Sequence, residues 1–250
     1  MKENAHIFYV PEVKNSTSGD LIFFSGQEAV HCSKVLRLKA GDSIILADGY
    51  GKMYDAKINL CQKDTVSAVV GEVLTGFDKR TFYNHIAIAP TKNSDRFEWF
   101  LEKAVEFGVD EITPLLCYHS ERKSIRVDRM EKILLSALKQ SGNPQMPKLN
   151  EMESFESFVS RCFENNIVKL IAHCEQEEKV FFGDLVHQNS NVLTLIGPEG
   201  DFSKQEIIQA YDNGFKAVSL GNTRLRTETA GIAVCAFLSV INNCQEKKLS

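Results

Sequence analysis

Arg226, Thr227 and Glu228 stand side by side where a long apolar run begins, at the predicted start of a helix. A carboxylate in the first turn of a helix is favoured by the helix dipole, and Thr or Glu there also reads simply as N-capping. Arg226 is harder to assign to capping. A guanidinium at a helix N-terminus is electrostatically disfavoured, so an anion or a developing negative charge is expected to offset it. These residues close the run Leu220-Gly221-Asn222-Thr223-Arg224-Leu225-Arg226-Thr227-Glu228, and an earlier run, Ile196-Gly197-Pro198-Glu199-Gly200-Asp201-Phe202-Ser203, has a similar setting.

Each run follows an apolar, strand-like stretch and leads into a helical pattern. Each is therefore a loop at the carboxyl end of a strand, where open α/β sheets bind ligands. Gly197, Pro198 and Gly200 make a stiff turn with little side-chain bulk, letting backbone amides approach a ligand. One such loop is ordinarily just a tight connection; two of them, from strands expected to be neighbours, favour a pocket. The sequence has no G-x-G-x-x-G after the first strand and no G-x-x-x-x-G-K-[ST], which argues against NAD and nucleoside triphosphates. It has no G-x-S-x-G elbow either, and its histidines form no metal-type pair, so no metal is expected.

The elements that would position these loops fall into two groups. Residues 1–75 read as a small β-rich, barrel-like unit: strands at His6–Val10, Leu21–Phe24, Ser43–Ala47, Lys52–Ile58 and Thr65–Val73, with a helix over Gln27–Leu38. Asp48-Gly49 is read as a two-residue hairpin turn. Residues 76–84 read as a linker. From residue 85 to 250, strands alternate with helices, which predicts a largely parallel sheet with helices on both faces. The helix over Asp95–Phe107 has Phe97, Phe100, Leu101, Ala104 and Val105 on one face. Asp128 with Glu131, and Ser203 with Glu206, read as capping boxes. A helix is expected over Phe155–Glu164, and the one from Thr227 to Ile241 is apolar nearly all round, so it should be buried.

The chain is 43% hydrophobic and 25% charged, values of an ordinary globular protein. No signal-peptide pattern is present, and the run Ala230–Ile241 is too short to cross a bilayer, so a cytoplasmic, membrane-free protein is expected. Seven widely spaced cysteines without a C-x-x-C pair read as reduced and mostly buried. The net charge of −4 does not advertise nucleic-acid binding. Such a partner would have to meet a local basic cluster: Lys34, Arg37 and Lys39, or Arg122, Lys123, Arg126 and Arg129.

The paired runs IGPEGDFS and LGNTRLRTETA strongly resemble the signature of the SPOUT-class methyltransferases that modify N3 of a uridine in 16S ribosomal RNA. Val35-Leu36-Arg37 with Gly41-Asp42, the segment Glu102 to Val109 with Pro114, and Ser120-Glu121-Arg122 extend the likeness over nearly the whole chain. The resemblance implies a PUA-like N-terminal barrel, a C-terminal α/β domain with a trefoil knot, a homodimer, and S-adenosyl-L-methionine as methyl donor. It places the cofactor on Ile196, Gly197, Pro198, Gly200, Leu220, Gly221, Leu225, Arg226 and Thr227. Lys34, Arg37, Arg122 and Lys123 would contact 16S ribosomal RNA within the small subunit. Arg226 would stabilise charge on the base, with Glu199, Glu228 or bulk water accepting the N3 proton. The sequence departs from the pattern at its N-terminus, where many relatives carry an arginine, at Asn143 and at Asp201, which replaces a frequent glycine.

Overall fold

The computed structural model describes residues 5–74, 80–163 and 166–243. Glu164, Cys244 and residues 76–79 of the expected linker lie outside the described residues. The chain divides into two compact units: Met1–Lys79 with Leu138–Met146, and Arg80–Ala137 with Pro147–Ser250.

In the first unit β1 (His6–Tyr9), β2 (Leu21–Ser25), β3 (Ser43–Ala47), β4 (Met53–Cys61) and β5 (Thr65–Leu74) form one sheet in the order β1-β3-β4-β5-β2. Only the β1–β3 pair is parallel. Tyr54, Ala56 and Ile58 on β4 are buried and join Phe8, Leu46, Val66 and Ala68 in the core, while Lys57 faces out. That is the period of two read from the sequence.

Three local expectations change. The hairpin is not closed by a two-residue Asp-Gly turn: positive φ falls at Gly49 and Gly51. The Asp48 carboxylate accepts the N–H groups of Tyr50 at 2.7 Å and Lys52 at 3.0 Å, which organises a longer loop. The expected helix over 27–38 is a short α1 (Gly26–Val30) followed by a wider turn, in which the Leu36 N–H reaches the His31 carbonyl at 3.0 Å. Arg37 then ends it in the left-handed region, at φ 55°. Finally, residues 138–146 complete this unit: Lys139 pairs with Glu28 at 2.7 Å, and the Met146 N–H donates to the Gly49 carbonyl at 3.0 Å.

The second unit contains β6 (Asn84–Ile88), α2 (Ser94–Glu106), β7 (Glu111–Leu116), α3 (Val127–Ser141, which runs on into the first unit), β8 (Lys148–Leu149), β9 (Glu153–Ser154), α4 (Phe155–Val159) and β10 (Ile167–Ala172). Then follow β11 (Val180–Phe181), α5 (Phe182–Leu185), β12 (Asn191–Ile196), α6 (Lys204–Asp212), β13 (Lys216–Ser219) and α7 (Thr227–Asn243). The sheet runs β11-β13-β10-β12-β6-β7-β8, with β9 also on β7, and all its pairs are parallel. Helices cover both faces, as expected. Ala87, Leu115, Leu193 and Leu195 meet Phe155 and Phe158 of α4 and Ile207 and Ala210 of α6. On the other face α7 lies against α2, β6 and β12. A Cβ on Gly231 would come within 2.6 Å of Phe100 and 3.1 Å of Ile88, so glycine permits that approach.

α2 buries the five predicted residues, with Asn93 as its cap. α3 starts earlier than its expected capping box. The Arg126 carbonyl accepts the Met130 N–H at 3.1 Å, and Asp128 lies in the first turn and pairs with Arg126 at 3.3 Å. The expected helix over 155–164 ends at Val159, where the Ser160 hydroxyl bonds back to the Glu156 carbonyl at 2.8 Å. On α7, Val234, Cys235 and Leu238 are buried, but Ile232 and Phe237 are half-buried and Val240 is exposed. Within one chain the helix is thus covered on only part of its surface. Among the described cysteines, Cys32, Cys117 and Cys235 are buried and Cys61 is half-buried, whereas Cys162 and Cys174 are exposed.

Near the amino end of the sheet, His85 on β6 is buried and its Nε2 lies 2.8 Å from Thr113 Oγ1. Burial pushes the imidazole down to about 4, against the pull of Glu111. His85 is therefore neutral near pH 7, and its 3.9 Å approach to Glu111 is not an ion pair there. No helix among the described residues is long and apolar enough to cross a membrane.

A candidate cofactor pocket at three strand ends

β10, β12 and β13 run parallel, so their carboxyl ends open along one edge of the sheet. The sequence reading makes β12 and β13 neighbours, and the structure corrects this. β10 lies between them and pairs with both, which brings Ala172, His173 and Cys174 into the site as a third wall. The three loops enclose a cavity of about 670 Å³.

Of the expected residues, Ile196, Gly197, Pro198, Glu199, Leu220, Gly221, Leu225, Arg226 and Thr227 line this cavity. Gly221 has a φ of 134°, a conformation that L side chains rarely adopt. Gly200 does not line it; a Cβ there would lie 2.9 Å from the Cβ of His119. Glu228 does not line it either, and borders an adjoining cavity.

Buried hydrogen bonds hold the loops in register. The Thr227 hydroxyl donates to the Gly197 carbonyl at 3.0 Å, which joins the second loop to the first. Thr227 is therefore a cross-link and not a helix cap. Asp201 sits in the left-handed region at φ 65°, tolerable for Asp. Its carboxylate accepts the Cys174 N–H at 2.6 Å and the Phe202 N–H at 2.9 Å, tying the first loop to the end of β10. The capping box of Ser203 and Glu206 then starts α6 as predicted.

The charged residues differ in their commitments. Glu199 Oε1 accepts the Lys92 N–H at 3.0 Å. Arg122 donates to the carbonyls of Thr91 at 2.9 Å and Lys92 at 2.7 Å, so its guanidinium holds the same short segment. Arg126 and Arg129 pair with Asp128 and Glu98. Lys123 is exposed, and on the first unit Lys34 and Arg37 are exposed on either side of Val35. Arg226 is exposed at the rim of the cavity. Glu228 is buried: Oε1 lies 3.9 Å from the Arg96 Nε, and Oε2 has no hydrogen-bond partner among the described residues.

His173 is a lining residue that sequence reasoning missed. Its Nε2 lies 2.9 Å from both Tyr211 Oη and Glu177 Oε1, while Nδ1 is buried without a partner among the described residues. Burial lowers its pKa, with Lys179 adding to the effect. Its position just past β10 becomes a signal only once β10 is known to be central. Among the described residues, no three His, Cys, Asp or Glu side chains group as a metal site.

Residues 79–239 match the model of an RNA methyltransferase domain. The chain belongs to this RNA methyltransferase family. Residues 24–71 match an RNA methyltransferase PUA domain. The chain is similar to a crystal structure described as a probable rRNA-methyltransferase from Porphyromonas gingivalis, at 37% identity over 96% of this chain and 99% of that one, with a TM-score of 0.83. A ribosomal RNA small subunit methyltransferase E from Neisseria gonorrhoeae, solved bound to S-adenosyl methionine, is 28% identical over 96% and 98% of the two chains, with a TM-score of 0.85. The protein of the same name from Rickettsia conorii is 29% identical over 87% of this chain and 89% of its own. The RNA methyltransferase match spans both loops of the cavity, and the PUA match spans Lys34 and Arg37.

Proposed function

We propose that the chain methylates N3 of a uridine in 16S ribosomal RNA of the small subunit, using S-adenosyl-L-methionine. The observation that carries this reading is the cavity at the ends of β10, β12 and β13, cross-linked by Thr227 and Gly197. Support comes also from the full-length likeness to a ribosomal RNA small subunit methyltransferase E bound to S-adenosyl methionine.

The residues present fit that cofactor. Ile196, Leu220 and Leu225 offer apolar contact for a flat base, and Gly197 and Gly221 add no side-chain bulk against it. When bound, S-adenosyl-L-methionine supplies an activated methyl group on a positively charged sulfur. The chain's own task is then to strip the N3 proton and hold the resulting charge, because a neutral imide is a poor nucleophile. Arg226 at the rim is placed to stabilise that charge, and Glu199 and Glu228 are the carboxylates near the site.

The first unit, folded as a PUA-like barrel over residues 1–75, would bind RNA through Lys34 and Arg37. Lys123, with Arg122 beside it, would add contacts from the α/β domain over 85–250. The three loops would belong to a trefoil knot, and the half-covered surface of α7 would meet a second copy in a homodimer working in the cytoplasm. Neither a metal nor a membrane has a part in this scheme. The test is a methylation assay with labelled cofactor on intact small subunits and on bare RNA, followed by mapping of the modified nucleotide. Label at N3 of one uridine is expected; label elsewhere, or none, would overturn the reading.

A further inference from the structure

Beside the cofactor cavity lies a second one, of about 570 Å³. Arg224, Leu225 and Arg226 line both, and the second is completed by Asp95, Arg96 and Trp99 of α2 and by Glu228 and Thr229 of α7. Its lining has a particular chemistry. Trp99 is 44% exposed, an open aromatic face at the cavity wall. Arg96, Arg224 and Arg226 bring three positive charges to the same cavity, against the one further carboxylate of Asp95 beside Glu228. Glu228 has a side chain only 8% exposed, and its Oε2 is buried without a donor among the described residues. A buried carboxylate oxygen left unpaired is costly, so a ligand that brings an N–H donor is the natural complement.

An aromatic face, cations and one buried acceptor together match an unstacked nucleotide. The base would lie on the indole, its phosphates on the guanidiniums, and its imide N–H on the carboxylate. We infer that this cavity receives the target uridine turned out of the RNA, with Trp99 stacked on the base and Glu228 accepting its N3 proton. The inference rests on the methyl transfer proposed above. It also separates the two carboxylates: Glu199 is held by the Lys92 N–H on the cofactor side, whereas Glu228 faces the second cavity. In the transfer, the N3 proton passes to the Glu228 carboxylate and the N3 lone pair bonds to the methyl carbon. The electron pair of the broken carbon–sulfur bond stays on sulfur. Base extrusion of this kind is how enzymes reach atoms hidden in a stack.

Trp99 is the only tryptophan in the chain, so tryptophan emission, excited at the red edge where tyrosine does not absorb, reports on this cavity alone. The full-length protein, saturated with S-adenosylhomocysteine, is titrated with a single-stranded oligoribonucleotide spanning the mapped uridine. Quenching is expected. An oligonucleotide of the same length with that base removed should bind, by anisotropy of an attached dye, without quenching. Trp99→Ala should lower kcat/KM on small subunits by about tenfold or more, Trp99→Phe should retain most of it, and both should keep the affinity for S-adenosylmethionine. Glu228→Gln should lower kcat, with a rate that climbs as pH rises and hydroxide takes over proton removal. Equal quenching by the abasic strand, or full activity in Trp99→Ala, would overturn the inference. So would an emission change that follows protein concentration without RNA, since that places Trp99 between two copies of the chain. If the unaltered protein puts no methyl group on uridine N3, the proposed function fails instead.

Discussion

The hydroxyl of Thr227 and the carbonyl of Gly197, 3.0 Å apart and buried, join two loops whose parent strands are not neighbours. Thr227→Val keeps the side-chain shape but leaves the carbonyl unpaired, at a cost of about 1–3 kcal/mol. We expect a lower melting temperature and roughly a tenfold loss of S-adenosylmethionine affinity in calorimetric titration, with Thr227→Ser close to the parent. Unchanged affinity in the valine variant would confine the bond to stability.

Arg226 stands exposed at the rim shared by the two cavities. Arg226→Ala should cut methyl transfer to small subunits by about a hundredfold, the scale of losing one preorganised electrostatic group. Cofactor binding should fall far less. Equal losses of both would make Arg226 a cofactor-positioning residue.

His85 gives the fold a pH dependence of predictable sign. Its pKa is depressed to about 4 by burial, so the unfolded chain takes up a proton that the folded chain refuses. The stabilisation is complete above about pH 6.5 and is lost as pH falls towards 4, amounting to about 3 kcal/mol. Urea unfolding at several pH values should show this slope, and His85→Gln should flatten most of it. His173, lowered in the same direction, contributes to what remains.

Lys34 and Arg37 carry the RNA prediction for the first unit. Reversing both to Glu should weaken binding to small subunits and reduce the slope of log affinity against log salt by about 2, roughly one per lost phosphate contact. Arg122 belongs in a separate experiment, because its guanidinium holds the Thr91 and Lys92 carbonyls. Arg122→Ala should lower the melting temperature and leave the salt slope unchanged.

The two loops, the five buried residues of α2 and the Ser203 capping box were legible because each has a local cause: turn chemistry, a helical period, a reciprocal pair of hydrogen bonds. What stayed hidden depends on contacts remote in sequence. β8, β9 and β11 have two residues each, too few to show a period. His173 became part of the site only because β10 lies between β12 and β13. Gly200 looked like part of the cofactor turn, yet its place against His119 is set by a residue far away along the chain. Arg122 looked like a free cation because the carbonyls it holds carry no signature in sequence. The Asp-Gly pair misled for the opposite reason, since the Asp48 carboxylate draws in two further N–H groups and lengthens the loop.

The first unit takes Leu138–Met146 into its own fold, with Lys139 on Glu28 and Met146 on Gly49. During synthesis its strands are made first, yet its last segment is made only after several elements of the second unit. A chain emerging from N- to C-terminus can begin this module early but must wait to finish it. A fragment cut after residue 79 would lack that closing segment, so the first unit is not a simple N-terminal piece of the chain.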